Sequence, residues 1–536
     1  MNKRFMNFFI TLTILWGFQS VDWTEELIHK GGYAMAKQLL EGVLHPDLSQ
    51  DVILRTLHAA GITSAYAIAG MSVSILIALI LGVFASGVLS KHHSPRTRLP
   101  FISRAVRSLL TFMRSIHELV WAWLFVAAFG LHPLSAILAL GIPYGGTLGR
   151  IFADMLLDVP EDPIQALDIT GAGRLQKLFY VYLPHALPNM VSYAMYRFEC
   201  AIRASTVMSF VGLGGLGYYI QLSLSDLEYN EAFTYLYGLI ALIFLIEVWS
   251  SQLRKSMDLG NSRTWNLRKL SLIMSFVGAI GAWSFIHITE GIYLRDLIND
   301  KNLHFTIKFL KGLLGFGETL PAFLDKAKWV SALGLSLETL QMSILSICLA
   351  SLFAILLAIP ASRMEKQTDG PIVSVVQKTS FTILRAIFIG ARAVPELVWA
   401  MFFVFLFKPG PLPGVLALAV HNFGILGKLF AEVVENMEQS PLESLRVSGA
   451  NTTQRLFYGL IPMVLPKFIT YILYRWEVII RTTIIVGFVG AGGLGQAFKL
   501  SMSWFHYSDV TLYLICYLGL IGGVDKLSRV LRRYAF

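Results

Sequence analysis

Apolar residues run along this chain in stretches too long and too continuous for a soluble core, with mostly hydrophobic runs at 5–21, 66–89, 233–248, 270–288, 340–359 and 512–523. A bilayer core needs roughly 20 predominantly apolar residues per helix, so each run predicts a membrane span. Other apolar stretches are interrupted by charges. A polar segment of moderate length follows the first run (22–55) and another follows the fourth (290–328). Within the first, "EELIHKGGYAMAKQLLEGVL" spaces its apolar residues at helical intervals, interrupted by Gly31 and Gly32. That spacing predicts a short helix lying on the outer membrane surface, with a loosely ordered external loop, favoured by the two glycines, as the alternative.

Composition agrees with this class: 55% of the 536 residues are hydrophobic, 15% are charged, and the mean hydropathy is +0.61. The formal charge of +10 would suit nucleic acid if it formed one surface. It is instead divided among short segments beside apolar runs: Lys3 and Arg4; Lys91, Arg96, Arg98, Arg104 and Arg107; Arg254, Lys255, Arg263, Arg268 and Lys269; Arg529, Arg532 and Arg533. Such clusters mark cytoplasmic ends, and membrane lipid rather than nucleic acid is the expected partner. The segment 222–232 carries Asp226, Glu228 and Glu231 with no Lys or Arg, so it is expected outside. The basic, apolar N-terminus lacks a clean small-residue cleavage site and reads as a retained first helix. Cys200, Cys348 and Cys516 lie in apolar segments without metal-ligand spacing, so no metal is expected.

The chain repeats itself. A shift of 278 positions, from Arg114 to Arg392, aligns 114–255 with 392–533 without a gap. "HELVWA" at 117 meets "PELVWA" at 395, and "YRFECAIR" at 196 meets "YRWEVIIR" at 474. Further upstream the register changes by two, so "ALILGVFAS" at 78 meets "AILLAIPAS" at 354. The expected division is residues 1–260 and 261–536, joined by a basic cytoplasmic linker. Both halves then begin and end on the cytoplasmic side, which requires an even number of spans and a parallel repeat. Spans are expected near 5–21, 66–90, 112–130, 133–157, 186–210 and 233–253, and again near 270–289, 338–361, 390–407, 412–434, 464–488 and 510–528. The fold class is an all-α integral membrane protein of about twelve transmembrane helices in two parallel six-helix modules.

Between the fourth and fifth expected spans of each half lies a loop with a shared grammar. "QALDITGAGRLQKLFYVYLP" at 165–184 contains Gln165, Ala166, Gly171 and Pro184; "ESLRVSGANTTQRLFYGLIP" at 443–462 contains Glu443, Ser444, Gly449 and Pro462 at the same spacing. This pattern resembles the EAA loop of ABC importer permeases, and the modules are then type I importer-like. The resemblance implies two short helices that dock on ATP-hydrolysing subunits, with glycine turning the chain between them and proline permitting a helix start just after it. Leu175, Leu178 and Phe179 are the residues expected against that partner. The first copy departs from the family at Gln165 and Leu167, and the second at Ser444 and Leu445.

The following segments, "YRFECAIRASTVMSFVGLGGLG" and "YRWEVIIRTTIIVGFVGAGGLG", resemble the phosphonate ABC importer permease family, here with two permease modules fused in one chain. The resemblance implies two ATP-binding cassette subunits that bind ATP and Mg, one extracytoplasmic phosphonate-binding protein, and a place in the bacterial cytoplasmic membrane with both termini cytoplasmic. The sequence leaves phosphonate, phosphite, hypophosphite and phosphate undivided, because all are small phosphorus oxyanions. An importer of methionine or a quaternary amine, or a secondary transporter, is the alternative.

Arg197, Glu199 and Arg203, with Arg475, Glu477 and Arg481, fall inside expected spans, where an ionisable side chain costs at least ~2.5 kcal/mol unless it faces protein or water. The i, i+4 spacing predicts Glu199–Arg203 and Glu477–Arg481 pairs. Arg197 and Arg475 are left to assist passage of an oxyanion, or to pair with Glu118 or Glu396 and hold helices together. Arg114–Glu118 and Arg392–Glu396 have the same spacing at the start of the third span and are expected to snorkel. Gly212, Gly214 and Gly217 satisfy a dinucleotide fingerprint, but no strand precedes them and an outward segment follows. With Gly215 they form a candidate outer gate, repeated as Gly490, Gly492, Gly493 and Gly495. The sequence has no G-x-x-x-x-G-K-[ST], so a transport subunit rather than an enzyme is expected.

Overall fold

The computed structural model describes residues 15–21, 23, 27–28, 31–90, 101–258, 262–291, 300–362, 371–438 and 440–535. Of the first expected span only 15–21 falls among them. In the first half the helices are α1 (Gly32–Leu44), α2 (Gln50–Ser86), α3 (Phe101–Ser115), α4 (Glu118–Phe129), α5 (Pro133–Leu157), α6 (Glu161–Ile169), α7 (Leu183–Met208), α8 (Leu216–Ser225) and α9 (Tyr229–Asp258). Next come α10 (Ser262–Glu290) and α11 (Asp300–Leu313), followed by α12 (Lys326–Ala358), α13 (Pro371–Ala393), α14 (Glu396–Leu406), α15 (Pro411–Glu435), α16 (Ser440–Val447), α17 (Ile461–Gly487), α18 (Gly493–Ser503) and α19 (Tyr507–Ala535). Among the described residues there is no strand, only one isolated bridge, Ile28 to Phe407. Among the described residues seven helices are long and apolar enough to span a bilayer, and three bent pairs bring the number to ten. The apolar part of α10 over Ile273–Thr289 is shorter.

Two compact units form, and their boundaries differ from the sequence repeat: one comprises Leu39–Leu310, the other Met1–Gln38 with Lys311–Phe536. The first expected span of the second half, α10, thus packs with the unit built mainly from the first half, and residues 15–21, the described end of the first expected span, belong to the other unit. In the first unit Trp283 of α10 donates from Nε1 to Ser72 Oγ on α2 at 3.0 Å, and Ala282 and Ile286 join the core around Tyr66 and Ile137. In the second, Gln341 of α12 donates to the Trp16 carbonyl at 3.4 Å. The short polar-segment helices also form, and α1 begins at Gly32, so the glycine pair stands at its start.

Small residues bring α2 and α5 together. A Cβ on Gly141 would lie 2.8 Å from Val73 Cγ1, and Ser74 Oγ donates to the Gly141 carbonyl at 3.1 Å. Close approach with a serine bridging to backbone is a favoured way to pack helices in lipid, where apolar burial supplies no net attraction. The second copy uses Ser346, which donates to the Val415 carbonyl at 3.2 Å.

The third span of each half differs from expectation. It starts earlier, at Phe101, and bends by 89° between α3 and α4; Lys378–Ala393 and α14 bend by 93°. Pro395 disfavours helix at the residue before it. In the first copy His117 takes the proline's place and its Nδ1 accepts from the Leu119 N–H at 3.2 Å, ending one helix and starting the next. Each bend is tied by a tryptophan from the repeated "LVWA": Trp121 Nε1 donates to the Met113 carbonyl at 3.3 Å and Trp399 Nε1 to the Ala391 carbonyl at 3.1 Å. Arg114 and Glu118, and likewise Arg392 and Glu396, therefore sit on separate helices, and their expected one-helix spacing does not exist.

Candidate functional site

The two loops fold alike. After α6 the chain turns at Gly171 (φ +75°), with the Ala172 N–H donating to the Leu167 carbonyl at 3.1 Å. After α16 it turns at Gly449 (φ +84°), with the Ala450 N–H donating to the Leu445 carbonyl at 3.0 Å. Nothing lies within 4 Å of a Cβ built on either glycine, so the backbone angle and not crowding requires glycine there. The second loop helix is capped by a side chain in each copy. Gln176 Oε1 accepts from the Gly173 N–H at 2.6 Å, while Asn451 and Gln454 cap each other at 2.8 and 2.9 Å.

Pro184 and Pro462 do not begin a helix after themselves, because the loop helix runs straight into α7 and α17 through a single wide turn. Leu183 N–H bonds back five residues to Leu178 and Ile461 N–H to Leu456. A π-turn takes up the strain that a ring one position later would impose on a regular helix. Leu178, within that turn, is buried at 5% exposure, against the expectation that it faces a partner. The exposed apolar residues are Ile169, Leu175, Phe179 and Tyr180 in one loop and Val447, Phe457 and Tyr458 in the other. Gln165, Ala166, Glu443 and Ser444 are exposed beside them.

Within the spans, the expected one-helix ion pairs are replaced by pairs between helices. Arg254 of α9 lies 2.5 Å from Glu199, and the equivalent Arg532 of α19 lies 2.7 Å from Glu477. Arg481 meets Asp525, also of α19, at 3.0 Å. The buried Arg203 Nε has no hydrogen-bond partner among the described residues. Sequence spacing finds i, i+4 neighbours on one helix, but these carboxylates face the last span of their module, whose cations come closer.

Arg197 and Arg475 have diverged in surroundings. The Arg197 guanidinium lies over two rings, 5.8 Å from the centroid of Tyr144 and 5.7 Å from that of Tyr193, at distances where a cation is attracted to an aromatic face. Its Nε has no hydrogen-bond partner among the described residues. The 278-residue offset puts Asn422 at the position of Tyr144, and Asn422 Oδ1 accepts from Arg475 Nε at 2.9 Å and from its Nη2. Glu118 and Glu396 have histidine neighbours, His117 at 3.3 Å and His421 at 3.5 Å. The sequence pattern located both arginines but not Tyr144, Asn422, Arg254 or Arg532; the repeat offset was the signal that could have paired the two arginine environments.

The glycine phrases join one helix to the next. Gly212 (φ +91°) and Gly215 (φ +107°) turn the chain between α7 and α8, as Gly490, Gly492 and Gly493 do between α17 and α18. A threonine of the second span caps each new helix: Thr63 Oγ1 accepts from the Leu216 N–H at 3.0 Å, and Thr339 Oγ1 from the Leu494 N–H at 2.9 Å. A Cβ on Gly217 would stand 2.0 Å from the Thr206 carbonyl oxygen, and one on Gly495 2.0 Å from that of Ile484. Gly214 is roomier in the first copy, whereas in the second a Cβ on Gly492 would meet Glu338, whose carboxylate accepts from the Gly493 N–H at 3.2 Å.

Two segments of the chain, 96–258 and 373–533, match the family described as the inner membrane component of binding-protein-dependent transport systems. The chain belongs to that family. As a member it is a permease of ABC importers, and each matched segment contains one bent third span, one loop, one charged span and one glycine phrase. The permease is 29% identical over 434 residues to the phosphate-import permease protein PhnE of Mycolicibacterium smegmatis, covering 81% of this chain and 78% of that one. It is 35% identical over 219 residues to the phosphite transport system permease protein PtxC of Stutzerimonas stutzeri, covering 41% and 75%. Among solved structures it is similar to the inward-facing MetNI methionine ABC transporter, with 22% identity, a TM-score of 0.35, and coverage of 39% of this chain and 99% of that one.

Proposed function

We propose that this permease forms the translocation pathway for phosphonate or a related small phosphorus oxyanion in an ATP-driven importer of the bacterial cytoplasmic membrane. The observation that carries this reading is the pair of repeated intramembrane arginines. Their own helices' carboxylates, Glu199 and Glu477, are taken up by Arg254 and Arg532, and Arg197 keeps its forked donors over aromatic faces. A guanidinium matches a tetrahedral oxyanion through paired N–H donors. The relatives whose names record phosphate and phosphite transport support the substrate class.

In this reading Arg197 and Arg475 assist passage, with Glu199, Arg203, Glu477 and Arg481 holding the charged spans in register. Two ATP-binding cassette subunits, which bind ATP and Mg, dock on the exposed residues of the two loops, and one extracytoplasmic binding protein delivers the substrate. Both termini are cytoplasmic. The glycine phrases then lie at the outer mouth, where a turn capped from the second span can act as a gate during alternating access.

The test is uptake into proteoliposomes holding the permease, its ATPase subunits and its binding protein, against methylphosphonate, phosphite, phosphate and a quaternary amine. ATP-dependent uptake of one or more phosphorus oxyanions supports the reading. Uptake of the amine alone, or uptake without ATP, overturns it.

A further inference from the structure

Beside the second glycine phrase a cavity of about 360 Å³ opens between the end of α17, α14 and α18, within the range of small-molecule sites. Met401, Val404 and Phe405 form one wall, and Gly490, Gln496 and Lys499 lie on it from the phrase and α18. Lys499 donates from Nζ to the Phe488 carbonyl at 2.7 Å. Among the described residues no carboxylate oxygen comes within 4.0 Å of that ammonium. An ammonium has three donors, and the one contact leaves two of them for a ligand.

A structural role for Lys499 is a cap on the last carbonyls of α17. The repeat argues against that as its purpose. At the same positions the first copy has Gln221 for Lys499 and Tyr218 for Gln496, yet its phrase turns at Gly212 with φ +91°, as the second turns at Gly490 with φ +95°. The turn therefore forms without the cation, and a half-buried ammonium without a carboxylate is a cost that an incoming anion would offset.

We infer that this cavity binds a small phosphorus oxyanion bearing an apolar substituent. Lys499 is its charged ligand, the Gln496 amide is a second donor, and Met401, Val404 and Phe405 receive the substituent. The inference rests on the proposed function and places an oxyanion site in one module only, because the first copy lacks the cation. The phosphate of a lipid headgroup has the same chemistry, and the experiment separates the two sources.

The complete importer is placed in nanodiscs of zwitterionic lipid, and acylation of Lys499 by an amine-reactive reagent is followed by peptide mass spectrometry with methylphosphonate, phosphite, phosphate or sulfate. Saturating methylphosphonate is expected to slow labelling of Lys499 roughly tenfold, as mass action requires of an occupied site, with sulfate having less effect. Labelling unchanged by every free oxyanion overturns the inference, as does protection that appears only when anionic lipid is added. In uptake, Lys499→Gln installs the residue the first copy already tolerates, so folding is retained; KM should rise roughly tenfold, about 1.4 kcal/mol of binding, and Lys499→Arg should restore most of it. An unchanged KM in Lys499→Gln also overturns it. Wild-type uptake in the same preparation keeps the two readings apart: if no phosphorus oxyanion is imported, the function fails, and if import is normal but indifferent to Lys499, only this site does.

Discussion

Arg254 Nη1 lies 2.5 Å from Glu199 Oε1, so the carboxylate in the middle of α7 is neutralised from the last helix of its module and not from its own. The second module repeats the arrangement with Arg532 and Glu477. Because Glu199 is only 11% exposed, removing its partner leaves an uncompensated charge among packed helices. Arg254→Ala should therefore cost about 3 kcal/mol, read as a lower melting temperature of the purified permease in detergent. Glu199→Gln in the same chain should recover most of that loss, and a double-mutant cycle with no coupling would refute the pairing.

The two central arginines should respond differently to their neighbours. Arg475 is held by Asn422, so Asn422→Ala should release it and weaken uptake, while Tyr144→Ala removes one of the two rings near Arg197. Arg197→Ala together with Arg475→Ala should abolish uptake of a phosphorus oxyanion while the amount of assembled importer, measured by co-purification of the ATPase subunits, stays unchanged. Normal uptake in that double variant would remove the arginines from the pathway.

Glycines of one phrase should differ sharply in tolerance. Gly217→Ala would drive a methyl to 2.0 Å from the Thr206 carbonyl oxygen, a clash between backbone segments that cannot be relieved by rotating a side chain. A destabilisation of about 2 kcal/mol or more is expected, with Gly495→Ala behaving alike. Gly214→Ala, whose nearest neighbour is Ile62 at 3.7 Å, should be nearly silent in thermal stability. Equal effects at Gly214 and Gly217 would show that close backbone approach is not what the phrase requires.

Loop residues should affect coupling without affecting the fold. Phe179 and Tyr180 are 62% and 75% exposed, and Phe457 and Tyr458 are 58% and 77% exposed, so replacing either pair with alanine leaves no cavity. Each double substitution should lower ATP-driven uptake and the recovery of ATPase subunits at unchanged melting temperature. Leu178→Ala, at a buried position, should instead cost about 2–3 kcal/mol of stability. Loss of stability in the Phe179 and Tyr180 variant would contradict its assignment as a docking surface.

Much of the architecture is legible in sequence because lipid imposes a simple rule: backbone groups must be satisfied within the helix, so spans appear as long apolar runs. The fourth span was expected at 133–157 and 412–434, and the helices are Pro133–Leu157 and Pro411–Glu435. Glycine and proline spacing located both loops for the same reason, since the φ of Gly171 and Gly449 is a local requirement. The third span was harder. Its 89° bend depends on Trp121 reaching the Met113 carbonyl across the break, and apolar periodicity carries no sign of that.

The chain by itself therefore determined the number of modules, the approximate spans, the loops and the presence of charges at membrane depth, because each follows from local composition and repetition. Tertiary structure decided what those charges meet. Glu199 chooses Arg254, 55 residues away, over Arg203 on its own helix; Tyr144 and Asn422 give equivalent arginines unlike surroundings; and α10, the first span of the second half, joins the compact unit built mainly from the first. Such pairings arise between helices far apart in sequence, and only packing brings them within a few ångströms, where electrostatic and hydrogen-bond energies become large.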